Sequence, residues 1–274
     1  MHQPPSDGLS PSLEHIAAVG TDVRYPCDVW PRHLAGPGDA RHLTHPLAAS
    51  GWTRTSDPLA PGLVLLSPDQ QTSVSINPQS PDRSYWCFIG RDGTPEEWWA
   101  EFGQGTPVEI LAGLADALIA PTPEPAPTVP DVLRRHGWTW AGDDDCLISA
   151  SPDGLATVTR DGKADVRAVE PWHIKVRAAT NRTLWHGWLD STTPAHLVAA
   201  LAESLASPTP VVRSTANMLA PGAQQARSSM TSAQLADAHL QRVEAAARSG
   251  PTAPSPTPAS ALPPPPVPGQ RRTR

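Results

Sequence analysis

Thr106-Pro107-Val108-Glu109-Ile110-Leu111-Ala112-Gly113-Leu114-Ala115-Asp116-Ala117-Leu118 returns 87 residues later as Thr193-Pro194-Ala195-His196-Leu197-Val198-Ala199-Ala200-Leu201-Ala202-Glu203-Ser204-Leu205. Both stretches are followed by Pro-Thr-Pro, at 121–123 and 208–210. Working towards the N-terminus, Trp99 aligns with Trp185, Arg91 with Arg177 and Trp86 with Trp172, all at an offset of 86. Ser67-Pro68-Asp69 recurs as Ser151-Pro152-Asp153 at 84, and Gly51-Trp52-Thr53 as Gly137-Trp138-Thr139 at 86. Offsets this steady over seventy residues mark an internal duplication, and a duplication decides how everything else is read.

Each copy carries the same series of local signals. A short apolar helical stretch, Thr44 to Ser50 or Asp131 to His136, runs into Gly-Trp, with Thr44 or Asp131 as its N-cap. A strand follows (Leu63 to Leu66, Leu147 to Ala150) and enters Ser-Pro-Asp, which suits a type I turn. The second strand alternates Val74 and Ile76 with serines, or holds Thr157-Val158-Thr159; the third runs from Tyr85 to Ile89 or Trp172 to Arg177. The fourth carries Trp99 and Phe102, or Trp185 and Trp188. The closing helix begins with Thr106 as N-cap, Pro107 at the first turn and Glu109 completing a capping box. Val108, Leu111, Leu114, Ala115 and Leu118 then form one apolar stripe.

The expected fold is therefore α+β: two tandem helix–four-stranded antiparallel meander–helix units packed as a pseudo-symmetric pair. The first repeat spans residues 23–120 and the second 131–210, joined by a stiff Pro-rich linker at 121–130. Residues 1–22 read as disordered, and 211–274 as a low-complexity tail with one helix at 231–248.

Composition agrees with a folded but unusual chain. Proline contributes 34 of 274 residues, over twice the average near 5%, and the ten tryptophans outnumber tyrosine and phenylalanine together. Lys163 and Lys175 are the only lysines. The three cysteines show no CxxC spacing, so neither a disulfide framework nor a zinc site is expected. No secretory leader and no membrane span is visible, which makes a cytoplasmic protein the expectation.

The doubled Ser-Pro-Asp turn, the Gly-Trp before it and the Thr-Pro-capped helix after it resemble the SPDY family, domain of unknown function 317, found in tandem in actinobacterial proteins. Gly38-Asp39-Ala40-Arg41-His42-Leu43-Thr44-His45-Pro46 is similar to that family's opening segment. The resemblance covers about residues 30–210. Gln70 after the first Ser-Pro-Asp, and the missing His-rich opening in copy two, depart from it. It implies no catalytic residue, substrate or cofactor.

Two groups of residues carry candidate chemistry. Asp39, Arg41, His42 and His45 combine acid–base and metal-ligand types, but lack zincin spacing and have no counterpart in copy two; the favoured reading is a turn and helix start supported by histidines. Asp143-Asp144-Asp145 lacks the alternation of a calcium loop and reads as a solvated turn. In the third strand of copy two, His173, Lys175 and Arg177 alternate with Trp172, Ile174 and Val176, so period two puts all three on one face. With Arg182, and Arg160 and Arg167 nearby, that face offers contacts to phosphates or an acidic partner, although a solvated outer sheet face is the favoured reading.

By segment, residues 44–120 carry net −6, residues 131–207 net −2 and residues 208–274 net +5. Neither copy is basic enough for a dedicated nucleic-acid reader. The leading functional expectation is a non-enzymatic module with a protein partner and without a metal or cofactor. The first alternative is accessory nucleic-acid binding through the basic face and tail; the second is an enzyme centred on residues 39–45. Oligomeric state stays open.

Overall fold

A computed structural model of the chain describes residues 25–250, apart from 56, 58, 60, 61, 83, 92–95, 143–145, 162–171 and 215–218. The expected disordered N-terminus, the end of the basic tail, the Asp143–Asp145 run and Arg167 lie outside the described residues.

In chain order the elements are β1 (Pro26–Trp30), α1 (Arg41–Ala49), β2 (Thr53–Arg54), β3 (Leu63–Leu66), β4 (Thr72–Ile76), β5 (Trp86–Arg91), β6 (Glu97–Phe102) and α2 (Val108–Ile119). Copy two follows with α3 (Val129–Arg135), β7 (Thr139–Gly142), β8 (Cys146–Ala150), β9 (Ala156–Asp161), β10 (Trp172–Arg177), β11 (Thr183–Leu189) and α4 (Ala195–Ala206). The chain ends with β12 (Val211–Ser214), β13 (Gln224–Arg227) and α5 (Ser232–Ser249). The class is α+β, as expected, but each meander has a fifth strand. β2 and β7 are short edge strands held by pairing to β3 and β8.

The two meanders join into one ten-stranded antiparallel sheet, ordered β2-β3-β4-β5-β6-β11-β10-β9-β8-β7. At the seam Glu101 pairs with Trp188, its own equivalent 87 positions on, so the pseudo-dyad passes through that pair. α2 and α4 cover the inner face on either side of it. Gly113 allows them to touch: a Cβ there would lie 1.9 Å from Ser204 Oγ and 3.0 Å from the Ala200 carbonyl oxygen. Leu111, Leu114, Leu197 and Leu201 are fully buried with Phe88, Phe102 and Leu189 beneath them.

The recurring Gly-Trp is a helix stop. Gly51 (φ +95°) and Gly137 (φ +73°) occupy the left-handed region, where a side chain is strained. The Trp52 and Trp138 amides donate to Leu47 and Leu133, while Gly51 and Gly137 donate to Ala48 and Arg134. That is the Schellman pattern, and the buried tryptophan supplies its apolar contact. The Ser-Pro-Asp turns are closed circuits. Ser67 Oγ and Ser151 Oγ donate to Asp69 and Asp153 and accept from the Thr72 and Ala156 amides.

Three expected helix starts differ. α1 begins three residues before Thr44, because Asp39 accepts from the Arg41 amide and takes over the capping task. α3 is capped by Thr128 and not by Asp131, so the linker ends before Pro130, which lies in the first turn. At α2, Thr106 makes no cap and its buried Oγ1 has no partner among the described residues. Glu109 turns instead to Arg213 on β12, in two contacts of 2.6 and 2.7 Å. The stretch after copy two, read as low-complexity, also supplies β12 and β13, which flank β1 in a separate three-stranded sheet.

The fourth-strand alignment needs a correction as well. Trp98, not Trp99, is buried and matches Trp185, since Gly90 pairs with Trp98 where Val176 pairs with Trp185. One residue of slip sends Trp99 to the opposite face.

Candidate functional site

The residues 39–45 lie where α1 starts, along a cleft of about 1310 Å³ bounded by α1, α2, β12 and α5. Arg41 grips the Asp39 carboxylate with Nε at 2.9 and 3.0 Å and with Nη2. The Arg41 hydrogen bond holds Asp39 below the usual carboxylate range. The two satisfy each other, which supports the helix-start reading of this pair.

The histidines have partners that the sequence pattern did not show. His45 Nδ1 lies 3.1 Å from His239 Nε2, and the His42 ring is 6.4 Å from the His239 ring. Pro46 has no N–H, so the His42 carbonyl lacks its helical donor. Arg242 of α5 donates to it at 2.6 Å and to Asp116 at 2.6 Å. Burial, and then Arg242, push the His42 pKa down; burial, and then His45, do the same to His239. Among the described residues no group of three His, Cys, Asp or Glu is arranged to hold a metal ion.

Deeper in the cleft, burial opposes the charge of Glu109, but the Arg213 hydrogen bonds and charge keep its carboxyl below the usual range. Arg213 also donates to the Ala35 and Gly36 carbonyls, fastening the small sheet to the opening segment. That segment is pinned to copy two by His33 Nε2, 3.0 Å from Asp153 Oδ2. Burial works against the Asp153 carboxylate, yet His33, Ser151 and the Leu155 amide outweigh it and depress its pKa strongly.

The second candidate group stands on the sheet's outer face, on which no helix packs among the described residues. As the alternation predicts, Ile174 and Val176 are buried while His173, Lys175 and Arg177 turn outward, half-exposed. Arg177 bonds Asn181, and Arg182 is exposed in the same turn. The face is more than a set of cations. His173 Nε2 and His186 Nδ1 are 2.9 Å apart, with rings only 8° from parallel. Trp188 lies 5.2 Å from one ring and 4.9 Å from the other, tilted by 12° and 18°. Burial, and then Lys175, lower the His186 pKa.

Strand pairing extends this set into a continuous outward row: Ser75, Cys87, Glu101, Trp188, His173, Thr159, Ile148. Burial, followed by Glu101, pushes the Cys87 thiol up to about 11, so it stays a neutral thiol at physiological pH. Ile89 and Ile148 are 41% and 46% exposed, which places apolar surface on both halves.

Residues 66–124 and 150–211 each match the model of the SPDY domain, a domain of unknown function (DUF317). Two segments of the chain are similar to the SPDY domain. No curated protein and no solved structure matches it.

Each SPDY match starts one residue before its Ser-Pro-Asp turn and runs through the closing helix. The outward row is thus almost wholly SPDY sequence, whereas Asp39–His45 and α5 lie outside the matches. Between the two SPDY copies the inner face is kept apolar: Val74 answers Val158, Phe88 answers Ile174, Trp98 answers Trp185 and Leu114 answers Leu201. The outer face diverges, with Cys87, Ile89, Trp99 and Glu101 answering His173, Lys175, His186 and Trp188. Packing explains the first set. It places no such demand on the second.

Proposed function

We propose that this tandem SPDY-like protein is a non-enzymatic cytoplasmic binding module that docks a protein partner on its open outer sheet face. The observation that carries the reading is the stacked His173–His186–Trp188 set in a half-exposed row, flanked by Lys175, Arg177 and Arg182. The partner it suits presents an acidic segment with apolar side chains: aromatic anchors supply the area and cations the orientation. Among the described residues no helix is long and apolar enough to cross a membrane.

Affinity capture with the wild type and with a Lys175→Glu, Arg177→Glu variant tests this. The wild type should recover a partner in stoichiometric amount that the charge-reversed protein loses while melting at the same temperature. Equal recovery by both removes the outer face from the account. Near-parallel rings beside cations also favour a second reading, single-stranded nucleic acid stacked on the same face and gripped by the basic tail. Oligonucleotide affinity falling steeply between 50 and 200 mM salt, on the order of 10²-fold or more, would mark it; no binding at low salt excludes it.

A further inference from the structure

Among the described residues α5 differs from every other helix: none of its 18 residues is buried. Leu235, His239, Arg242, Val243 and Ala246 face the body half-exposed, and Leu240 is 57% exposed. So little apolar contact contributes weakly to docking. The helix carries its own start signal, Thr231 and Gln234 forming a complete capping box, and is rich in alanine, so its helicity needs little help from the body. What holds it across the cleft is polar: the Arg242 bonds to the His42 carbonyl and Asp116, and the single bond between His45 and His239.

We propose that α5 is a pH-sensitive latch, closed across the cleft while His45 and His239 share one bond as donor and acceptor, and released when acid leaves that bond without an acceptor nitrogen. A hydrogen bond between two imidazoles needs a bare nitrogen on one of them, and two imidazolium rings have none. Asp39 favours the charged form of His239, but burial, His45 and Arg242 outweigh it. Lining the cleft around the pair are Asp39 just before α1, Arg41 and His42 on α1, Glu109 and Asp116 on α2, and Arg242 on α5. Asp39 is engaged by Arg41, Asp116 by Arg242 and Glu109 by Arg213, so each carboxylate already answers a guanidinium.

The sign follows from the direction in which the docked state moves these groups. Burial and neighbouring cations lower the His239 and His42 values, so the docked state binds protons less readily than the released one. Above the free-histidine value near 6.5 the two states bind equally few; below it each further proton taken up on release shifts the balance by roughly tenfold per pH unit. Opening bares the outer side of α1 and one wall of the cleft, independently of anything the outer sheet face binds.

¹⁵N relaxation of the full chain reads this directly. At pH 7.5 the heteronuclear NOEs of α5 should equal those of α4; at pH 5.5 they should fall while α2 and α4 stay rigid. His239→Gln, which can still bond His45 but does not titrate, should stay docked at pH 7.5 and be released at pH 5.5 clearly less than the wild type. Arg242→Ala should be detached at both, with the body's own amides reporting an intact fold. An α5 that stays rigid at pH 5.5 in the wild type overturns the latch, as does a Gln variant released at pH 5.5 as fully as the wild type or an Ala variant that stays docked.

Discussion

Gly113→Ala probes the contact on which the pairing of the two copies rests. At an open helical site this change stabilises by about 1 kcal/mol, because alanine is the better helix former. Here the added Cβ would stand 1.9 Å from Ser204 Oγ, 2.7 Å from Ser204 Cβ and 3.0 Å from the Ala200 carbonyl oxygen. The hydroxyl can rotate away. The Cβ and the carbonyl retreat only if α4 moves off α2, which loosens the fully buried leucines between helices and sheet. Overpacking of this kind costs about 1–3 kcal/mol, and the additional separation lies on top of it. The net expectation is a loss of about 1–2 kcal/mol, or roughly 2–8 °C for a domain of this size. Urea melts followed by far-UV circular dichroism measure it. The pair Gly113→Ala with Ser204→Gly moves the notch to the other helix, removes the two shortest contacts and should recover most of the loss. A single variant more stable than the wild type would show that α2 and α4 do not meet at Gly113.

Gly51→Ala and Gly137→Ala should each cost about 1–2 kcal/mol in the same melts, the expense of holding a side chain in the left-handed region. Arg213→Ala strands the buried Glu109 carboxylate and should cost about 3–5 kcal/mol, whereas an Arg213→Met, Glu109→Leu double variant should lose much less. Asp153→Asn should be less stable than the wild type at neutral pH by a constant gap that narrows below about pH 4. A depressed carboxyl contributes above its unfolded value near 3.9 and loses that contribution as pH falls towards the folded one. Melts at pH 7, 5, 4 and 3 follow the gap.

Much of the fold was legible because short-range chemistry specifies it. The serine and aspartate of each Ser-Pro-Asp close their own turn, and Gly51 and Gly137 end helices for a reason visible in the residue itself. Period-two alternation placed His173, Lys175 and Arg177 outward correctly. Longer-range partners were not legible. Glu109 has the spacing of a capping box, yet Arg213, more than a hundred residues away, offers a buried guanidinium that outbids a backbone amide. β1 finds β12 across most of the chain, Pro26 opposite Ser214, and neither strand has a pattern of its own strong enough to announce it. The Trp98-Trp99 doublet leaves the facing ambiguous until pairing chooses. Trp52, Trp86, Trp98, Trp138 and Trp185 are buried, but Trp99 and Trp188 face outward, a division their spacing alone did not announce. Around the cleft, Pro46 was the one signal in the chain that a carbonyl on α1 would seek a donor elsewhere.

The claim that binding takes place on the outer sheet face is tested most directly by photo-crosslinking inside cells of the native source. A benzophenone side chain is placed at Thr159 or Lys175 on that face, and at Asp237 or Glu244 on exposed positions of α5. A discrete adduct of one common mass from Thr159 and Lys175, absent from both α5 positions, is the predicted result. Adducts arising from the α5 positions alone would contradict it.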